Sequence, residues 1–148
     1  KYIKELNVGW LRFGFNSFSL TDSVYNKAKK NNLKIVLMIY PEKDFQEFSN
    51  PYQSGYDLAY QIASHYMDIE YFQLANEPAA GAIKPNWPGT DKESFFELKY
   101  QKVFVWLRGA TDGVKKANPT ARRIITGNWL NTGFFQMLND DKLNYEIT

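Results

Sequence analysis

An amide and a carboxyl group stand side by side where an apolar, aromatic run of the chain ends. The run at 69–75 has the length and composition of a buried β-strand. Asn76 and Glu77 follow it, and Pro78 lacks the N–H that would continue a strand ladder. A carboxyl group is able to give and take a proton, and parallel α/β folds place catalytic groups at the carboxyl ends of their strands. The same pattern also fits an ordinary strand-to-loop junction with an exposed glutamate.

Composition argues against several other kinds of chemistry. The chain of 148 residues contains no Cys, which excludes a disulfide, a thiolate metal site and a thiol nucleophile. Its one His, His65, argues against a His-rich metal site and against a Ser-His-Asp triad. The formal net charge of +2, without a basic stripe, argues against a nucleic-acid partner, and no apolar run is long enough to span a membrane. Aromatic residues make up 17% of the chain, which suits a cleft that binds the apolar faces of sugar rings.

Apolar runs alternate with amphipathic segments along the whole chain. Such alternation predicts an α/β fold whose parallel strands are joined by right-handed crossovers. A doubly wound sheet and a barrel both fit this order. The strands end in polar or aromatic residues and no glycine-rich phosphate-binding turn follows any of them, so we favour the barrel. The predicted strands are 8–15, 33–40, 69–77, 122–129 and 143–148; the predicted helices are 1–6, 23–30 with N-caps at 21–23, 56–67, 93–117 and 132–139; a long loop covers 79–92.

With its elements in this order, the sequence resembles the retaining glycoside hydrolases of clan A over nearly its whole length. The segment 76–78, Asn-Glu-Pro, matches their strand-4 motif, whose Glu is the general acid/base. Residues 8–12 resemble the strand-2 segment with its active-site Arg, residues 115–127 the junction of helix 4 and strand 5, and residues 143–148 the start of strand 6. The resemblance implies a (β/α)8 TIM barrel, of which residues 1–148 are one partial domain from helix 1 to strand 6.

The resemblance also assigns roles to individual residues. Glu77 is the expected general acid/base, and Asn76 is expected to donate to the sugar 2-hydroxyl group. Arg12 is expected to orient the nucleophile, a Glu on strand 7 that lies outside this chain. No metal and no organic cofactor is required, because carboxyl groups supply both the proton transfer and the nucleophilic attack. The candidate substrate-binding residues are Asn76, Arg12, Tyr40, Trp87, Asn128 and Trp129, and the three aromatic residues among them are candidate sugar platforms.

These roles imply a hydrolase that cleaves β-glycosidic bonds in a polysaccharide or oligosaccharide by double displacement. A polysaccharide substrate would favour a secreted or periplasmic location. The alternatives are a carbohydrate-binding protein or inactive fragment of this fold, and a different barrel enzyme that uses Glu77 as a base, with or without a metal. A partial barrel exposes the edges of its parallel sheet. We therefore expect the segment alone to be inactive and not a stable monomer, its edges being covered by the rest of its own barrel or by a second chain.

Overall fold

The computed structural model describes residues 8–127, 131–143 and 145, in which strands and helices alternate as predicted. The predicted helix at 1–6 and most of the predicted strand at 143–148 lie outside these residues. The strands are β1 (Trp10–Gly14), β2 (Lys34–Ile39), β3 (Tyr71–Leu74) and β4 (Arg122–Ile124). The helices are α1 (Phe18–Lys30), α2 (Pro51–His65), α3 (Glu97–Ala117) and α4 (Thr132–Asp140), with short 3₁₀ turns at Phe45–Glu47, Ala80–Ala82 and Lys92–Ser94.

The strands form one parallel sheet in the order β1-β2-β3-β4. Each strand therefore lies beside the one that precedes it in the chain. A doubly wound sheet reverses its strand order at a switch point, and the described strands contain no such reversal. Because crossovers between parallel strands are right-handed, this sequential order places the connecting helices on one face of the sheet.

The two faces of the sheet differ in burial. Leu37 and Ile39 of β2 and Phe72 and Leu74 of β3 alternate onto one face and are fully buried in the core that the sheet forms with the helices. The other face of the sheet, which we call the open face, is partly exposed to solvent. Trp10, the first residue of β1, lies on this face and is 44% exposed. Met38 and Gln73, near the carboxyl ends of their strands, are the buried residues of the open face. The open face further carries Arg12, Lys34, Val36, Tyr71, Arg122 and Ile124.

Helices α2 and α3 pack in direct main-chain contact because glycines line the seam between them. A Cβ atom on Gly109 would collide with the main-chain carbonyl oxygen of Tyr52, and one on Gly113 would collide with that of Tyr56. Gly55 on α2 faces α3 in the same way. This close approach buries the ring of Trp106 completely and brings the apolar stripe of α3 over the sheet.

The structure corrects the predicted starts of three helices. Helix α1 begins at Phe18 rather than at residue 23, because Ser17 is its N-cap and its Oγ accepts a hydrogen bond from Leu20 N. Thr21 is buried, and the Asp22 carboxylate accepts from the Tyr66 hydroxyl at 2.8 Å instead of capping α1.

Helix α2 begins five positions before its predicted start. Its N-cap is Asn50, and Pro51 at the first helical position already has the φ angle that a helix requires. The helix ends at His65 rather than at residue 67. Helix α3 starts at Glu97 rather than at residue 93, because Asp91 caps a separate 3₁₀ turn, where its side chain accepts from Ser94 N.

The α2–α3 seam yields a prediction about stability. Replacing a helical Gly by Ala ordinarily stabilises a helix by about 1 kcal/mol. At Gly109 the added methyl group must push α2 away, so we expect Gly109→Ala to lower the free energy of unfolding by about 3 kcal/mol in urea denaturation. Gly81→Ala is the control, because nothing lies within 4 Å of its added Cβ atom. Equal stability of the two variants would show that the seam is not close-packed.

Candidate functional site

The site begins where the β3 ladder ends. The last hydrogen bond of the ladder runs from Ala75 N to Ile39 O at 2.8 Å. Ala75 and Glu77 then adopt left-handed backbone conformations, with φ angles of 59° and 47°. Such angles cost a residue with a side chain about 1–3 kcal/mol and cluster at functional sites. The ladder was predicted to end because of Pro78, but the left-handed turn at Ala75 ends it earlier and leaves Asn76 and Glu77 exposed.

Arg12 reaches from β1 across β2 to the end of β3. It lies on the open face of the sheet, whereas its neighbours Leu11 and Phe13 pack against the core. Its Nε donates to Gln73 Oε1 at 2.7 Å, and its Nη2 donates to Asn76 Oδ1 at 2.7 Å. The structure thus joins two of the predicted site residues, Arg12 and Asn76, by a charge-assisted hydrogen bond. The role of Arg12 towards a nucleophile remains a prediction.

Gln73 is the buried centre of this group of side chains. Its side chain lies on the open face, and the residue is only 1% exposed. Its Nε2 donates to Ala75 O at 2.8 Å and to Thr126 Oγ1 at 3.1 Å. Thr126 Oγ1 also accepts from the main-chain N–H of Glu77 at 3.4 Å. Arg12, Gln73, Asn76 and Thr126 therefore form one hydrogen-bonded group, which we call the Gln73 network.

Two members of this network, Gln73 and Thr126, were absent from the predicted site. The available signal was the polar Gln73 inside an apolar run, two positions after Tyr71 and three before Asn76. A polar side chain at such a position must find partners when it is buried. Thr126 carried no comparable signal, because its contact depends on the pairing of β3 with β4.

Glu77 faces a cleft of about 210 Å³ between the end of β3 and the loop that follows β2. Its side chain is exposed. Asp44 lines the same cleft, but its carboxylate accepts from Gln46 N at 2.8 Å and so caps a 3₁₀ turn. The exposed carboxyl group of Glu77 lies beside the Asn76 amide, which Arg12 holds in place. Such a carboxyl group is suited to proton transfer with a ligand that enters this cleft.

Tyr40 lies at the same edge of the sheet, directly after β2. Its residue is 40% exposed, and its hydroxyl group donates to Met38 Sδ at 3.4 Å. The ring packs against Gly14 at the end of β1, a place that a side chain at position 14 would fill. The ring is therefore held in place and partly open to solvent, as a sugar platform requires.

Of the remaining candidates the structure describes only Trp87, which does not join this group. Trp87 is 48% exposed on the loop between β3 and α3, with Lys84 Nζ 5.1 Å from its ring centre, and no described contact joins it to Asn76 or Glu77. Asn128 and Trp129 lie outside the described residues.

The loop that carries Trp87 is folded rather than open. An antiparallel bridge joins Ile83 to Phe95 across its base. Gly89 O accepts from Gly133 N at 3.1 Å, which fastens the far side of the loop to the start of α4. The loop predicted at 79–92 therefore has a defined conformation.

Shifted pKa values mark the contacts between α1 and the end of α2. Burial and a hydrogen bond to Asp68 raise the pKa of Tyr25 to about 12. Hydrogen bonds from Tyr66 and His65 hold the pKa of Asp22 below its usual value. These groups tie α1 to the end of α2 and serve the fold.

Among the described residues, no three His, Asp or Glu side chains form a group that would hold a metal ion. No described helix is long and apolar enough to cross a membrane.

Comparisons with known proteins give one informative similarity. No protein-family model matches the chain, and a comparison with curated proteins gives no match. Among solved structures, the chain is similar to a family 39 glycoside hydrolase from the gut symbiont Bacteroides cellulosilyticus WH2, with a TM-score of 0.56 and 12% sequence identity. The match covers 80% of this chain and 26% of that one, so the chain spans about a quarter of the length of that structure. At this identity the similarity shows the fold.

The Gln73 network yields a prediction with a matched control. Thr126→Val leaves an N–H of Gln73 and the N–H of Glu77 without their acceptor, so we expect the free energy of unfolding to fall by about 1–2 kcal/mol. Thr111→Val makes the same chemical change at a buried hydroxyl group without a hydrogen-bond partner among the described residues, and should be neutral or stabilising. Urea denaturation of both variants measures the difference. Equal losses would mean that the Thr126 hydroxyl contributes nothing specific.

Proposed function

We propose that this chain carries the acid/base side of the catalytic site of a retaining β-glycoside hydrolase. The observation that supports this most directly is the exposed Asn76-Glu77 pair at the carboxyl edge of a parallel sheet, with Asn76 held by Arg12. Catalytic groups of parallel α/β folds lie at this edge. The structural similarity to a glycoside hydrolase supports the reaction class at the level of hydrolase and glycosidase.

Retaining hydrolysis uses two carboxyl groups about 5–5.5 Å apart on either side of the glycosidic bond. In the proposed mechanism, Glu77 protonates the leaving oxygen as the nucleophile attacks the anomeric carbon, and it then takes a proton from the water that releases the sugar. Asn76 donates a hydrogen bond to the sugar 2-hydroxyl group, a contact that strengthens in the transition state. The proposed nucleophile is a Glu outside this sequence, since the carboxylate of Asp44 already caps a turn.

The proposed parent fold is a TIM barrel in which the open face of the sheet becomes the barrel interior. The sequential strand order and the exposure of Trp10 on that face support this proposal. A complete barrel needs about 250 residues. The rest of the same barrel, or a second chain, would then cover the edges of β1 and β4. Arg12, on the open face, would face the nucleophile and keep it ionised, as the resemblance implies.

The proposed substrate is a β-linked polysaccharide or an oligosaccharide derived from one. Tyr40 is suited to stack on a sugar ring bound over the ends of β1 and β2, because its ring is held against Gly14 and partly exposed. The proposed roles of Trp87, Asn128 and Trp129 in binding more distant sugar units rest on the resemblance alone. The proposed reaction uses no metal and no organic cofactor.

Hydrolysis of a panel of aryl β-glycosides by the full-length protein tests this proposal. We expect Glu77→Ala to lower kcat by about 100- to 10,000-fold, because a general acid/base contributes that much, and we expect added azide to restore turnover by replacing the activated water. Glu70→Ala is the matched control, since Glu70 is an exposed glutamate at the opposite end of β3. Its activity should equal that of the wild type.

The other outcomes separate the alternatives. Undiminished activity of Glu77→Ala, or equal losses in both variants, would contradict the assignment of Glu77. Saturable binding of oligosaccharides by a wild-type protein that hydrolyses none of the aryl glycosides would instead support a carbohydrate-binding protein of this fold.

A further inference from the structure

We propose that Gln73 is the positioning residue of this site, which fixes the amide of Asn76 and the main chain of Glu77 together. Its effect on catalysis rests on the proposed function; its effect on Asn76 does not. Gln73 is nearly inaccessible to solvent, yet it donates two hydrogen bonds and accepts one within 2.7–3.1 Å. A buried amide with every one of these partners in place is rigid, whereas a packing residue at this position would need no polar atoms.

The partners of Gln73 determine the direction of its amide without ambiguity. The carbonyl oxygen of Ala75 can only accept a hydrogen bond, so the Gln73 atom 2.8 Å away must be the nitrogen. Gln73 Oε1 therefore faces Arg12, whose guanidinium group can only donate. Turning the amide over would place oxygen against oxygen on one side and nitrogen against nitrogen on the other.

Arg12 in turn fixes the orientation of the Asn76 amide. The guanidinium group is planar, so the bond from its Nε to Gln73 also fixes the position of Nη2, which donates to Asn76 Oδ1. Since the oxygen of the Asn76 amide faces Arg12, its nitrogen lies on the side away from Arg12. Asn76 thus presents a donor, and not an acceptor, to a ligand oxygen at the end of β3.

A second arm of the network runs from Gln73 to Glu77. The other N–H of Gln73 donates to Thr126 Oγ1, which accepts from Glu77 N. Gln73 therefore bonds to the carbonyl group of one left-handed residue, Ala75, and through Thr126 to the N–H of the other, Glu77. These contacts offset the backbone strain of the turn and hold Glu77 in register with Asn76.

The first test measures the environment of the Asn76 side-chain amide and does not depend on activity. In NMR spectra of the isotope-labelled full-length protein, Gln73→Met should shift or broaden the side-chain amide signals of Asn76. Gln101→Met, which removes a partly exposed glutamine amide from α3, should leave them unchanged. Unchanged Asn76 signals in a cooperatively melting Gln73→Met protein would overturn the proposal. If Gln73→Met does not fold, Gln73→Asn takes its place, because its amide is too short to reach Arg12 and Thr126 together.

The second test separates a positioning role from a structural one. On the best aryl glycoside, Gln73→Met should lower kcat/KM by about 10- to 100-fold, as expected for a displaced catalytic group. The fold-loss caused by Gln73→Met should be smaller in the Asn76→Ala background than in the wild-type background, because only the arm of the network that runs to Glu77 is then left to disturb. If the fold-losses in kcat/KM of the two single variants multiply in the double variant, this part of the proposal is overturned. A wild-type protein without glycosidase activity would refute the proposed function, and the NMR result would still decide the role of Gln73.

Discussion

The parallel register of β1, β2 and β3 determines where the polar groups of the site lie. Gly14, Met38 and Gln73 stand in one row across the sheet, so Arg12, two residues before Gly14, has its side chain on the same face as Gln73. A slip of one residue in β1 would turn Arg12 towards the helices and bring Leu11 or Phe13 to the open face. Burial of the apolar face against the helices makes such a slip costly, so the core holds the site in register.

The end of β3 shows how a stable core supports a strained site. The fully buried residues Phe72 and Leu74 are followed by Ala75 and Glu77. Both of these residues have left-handed backbone conformations, which cost free energy. The buried amide of Gln73 offsets that cost by bonding to both sides of the turn, directly to Ala75 and through Thr126 to Glu77. Asn76 and Glu77 are thereby exposed to solvent while their positions remain fixed, and this combination is what a binding or catalytic site requires.

The sequence predicted the order and type of the elements, because β2 is a nearly continuous apolar run and α3 carries an apolar stripe at helical spacing. It misplaced the start of α1, because Thr21 and Asp22 resemble caps but are used in packing and in a bond to Tyr66. It placed Arg12 and Asn76 in one site through a family resemblance, and the structure shows their hydrogen bond. Gln73 was missed because its partners lie up to 61 residues away, a proximity that depends on strand pairing and not on local pattern.

We propose that Asn76 and Glu77, held by the Gln73 network, bind a carbohydrate at the carboxyl edge of the sheet. The most direct measurement is an NMR titration of the isotope-labelled full-length protein with soluble β-linked xylo-, cello- and manno-oligosaccharides. We expect saturable shifts in the side-chain amide of Asn76 and in the main-chain amides of Glu77 and Tyr40, with none at the opposite end of β3 near Glu70. Saturable shifts that leave Asn76 and Glu77 unaffected, or no shifts with any of the sugars, would contradict the account.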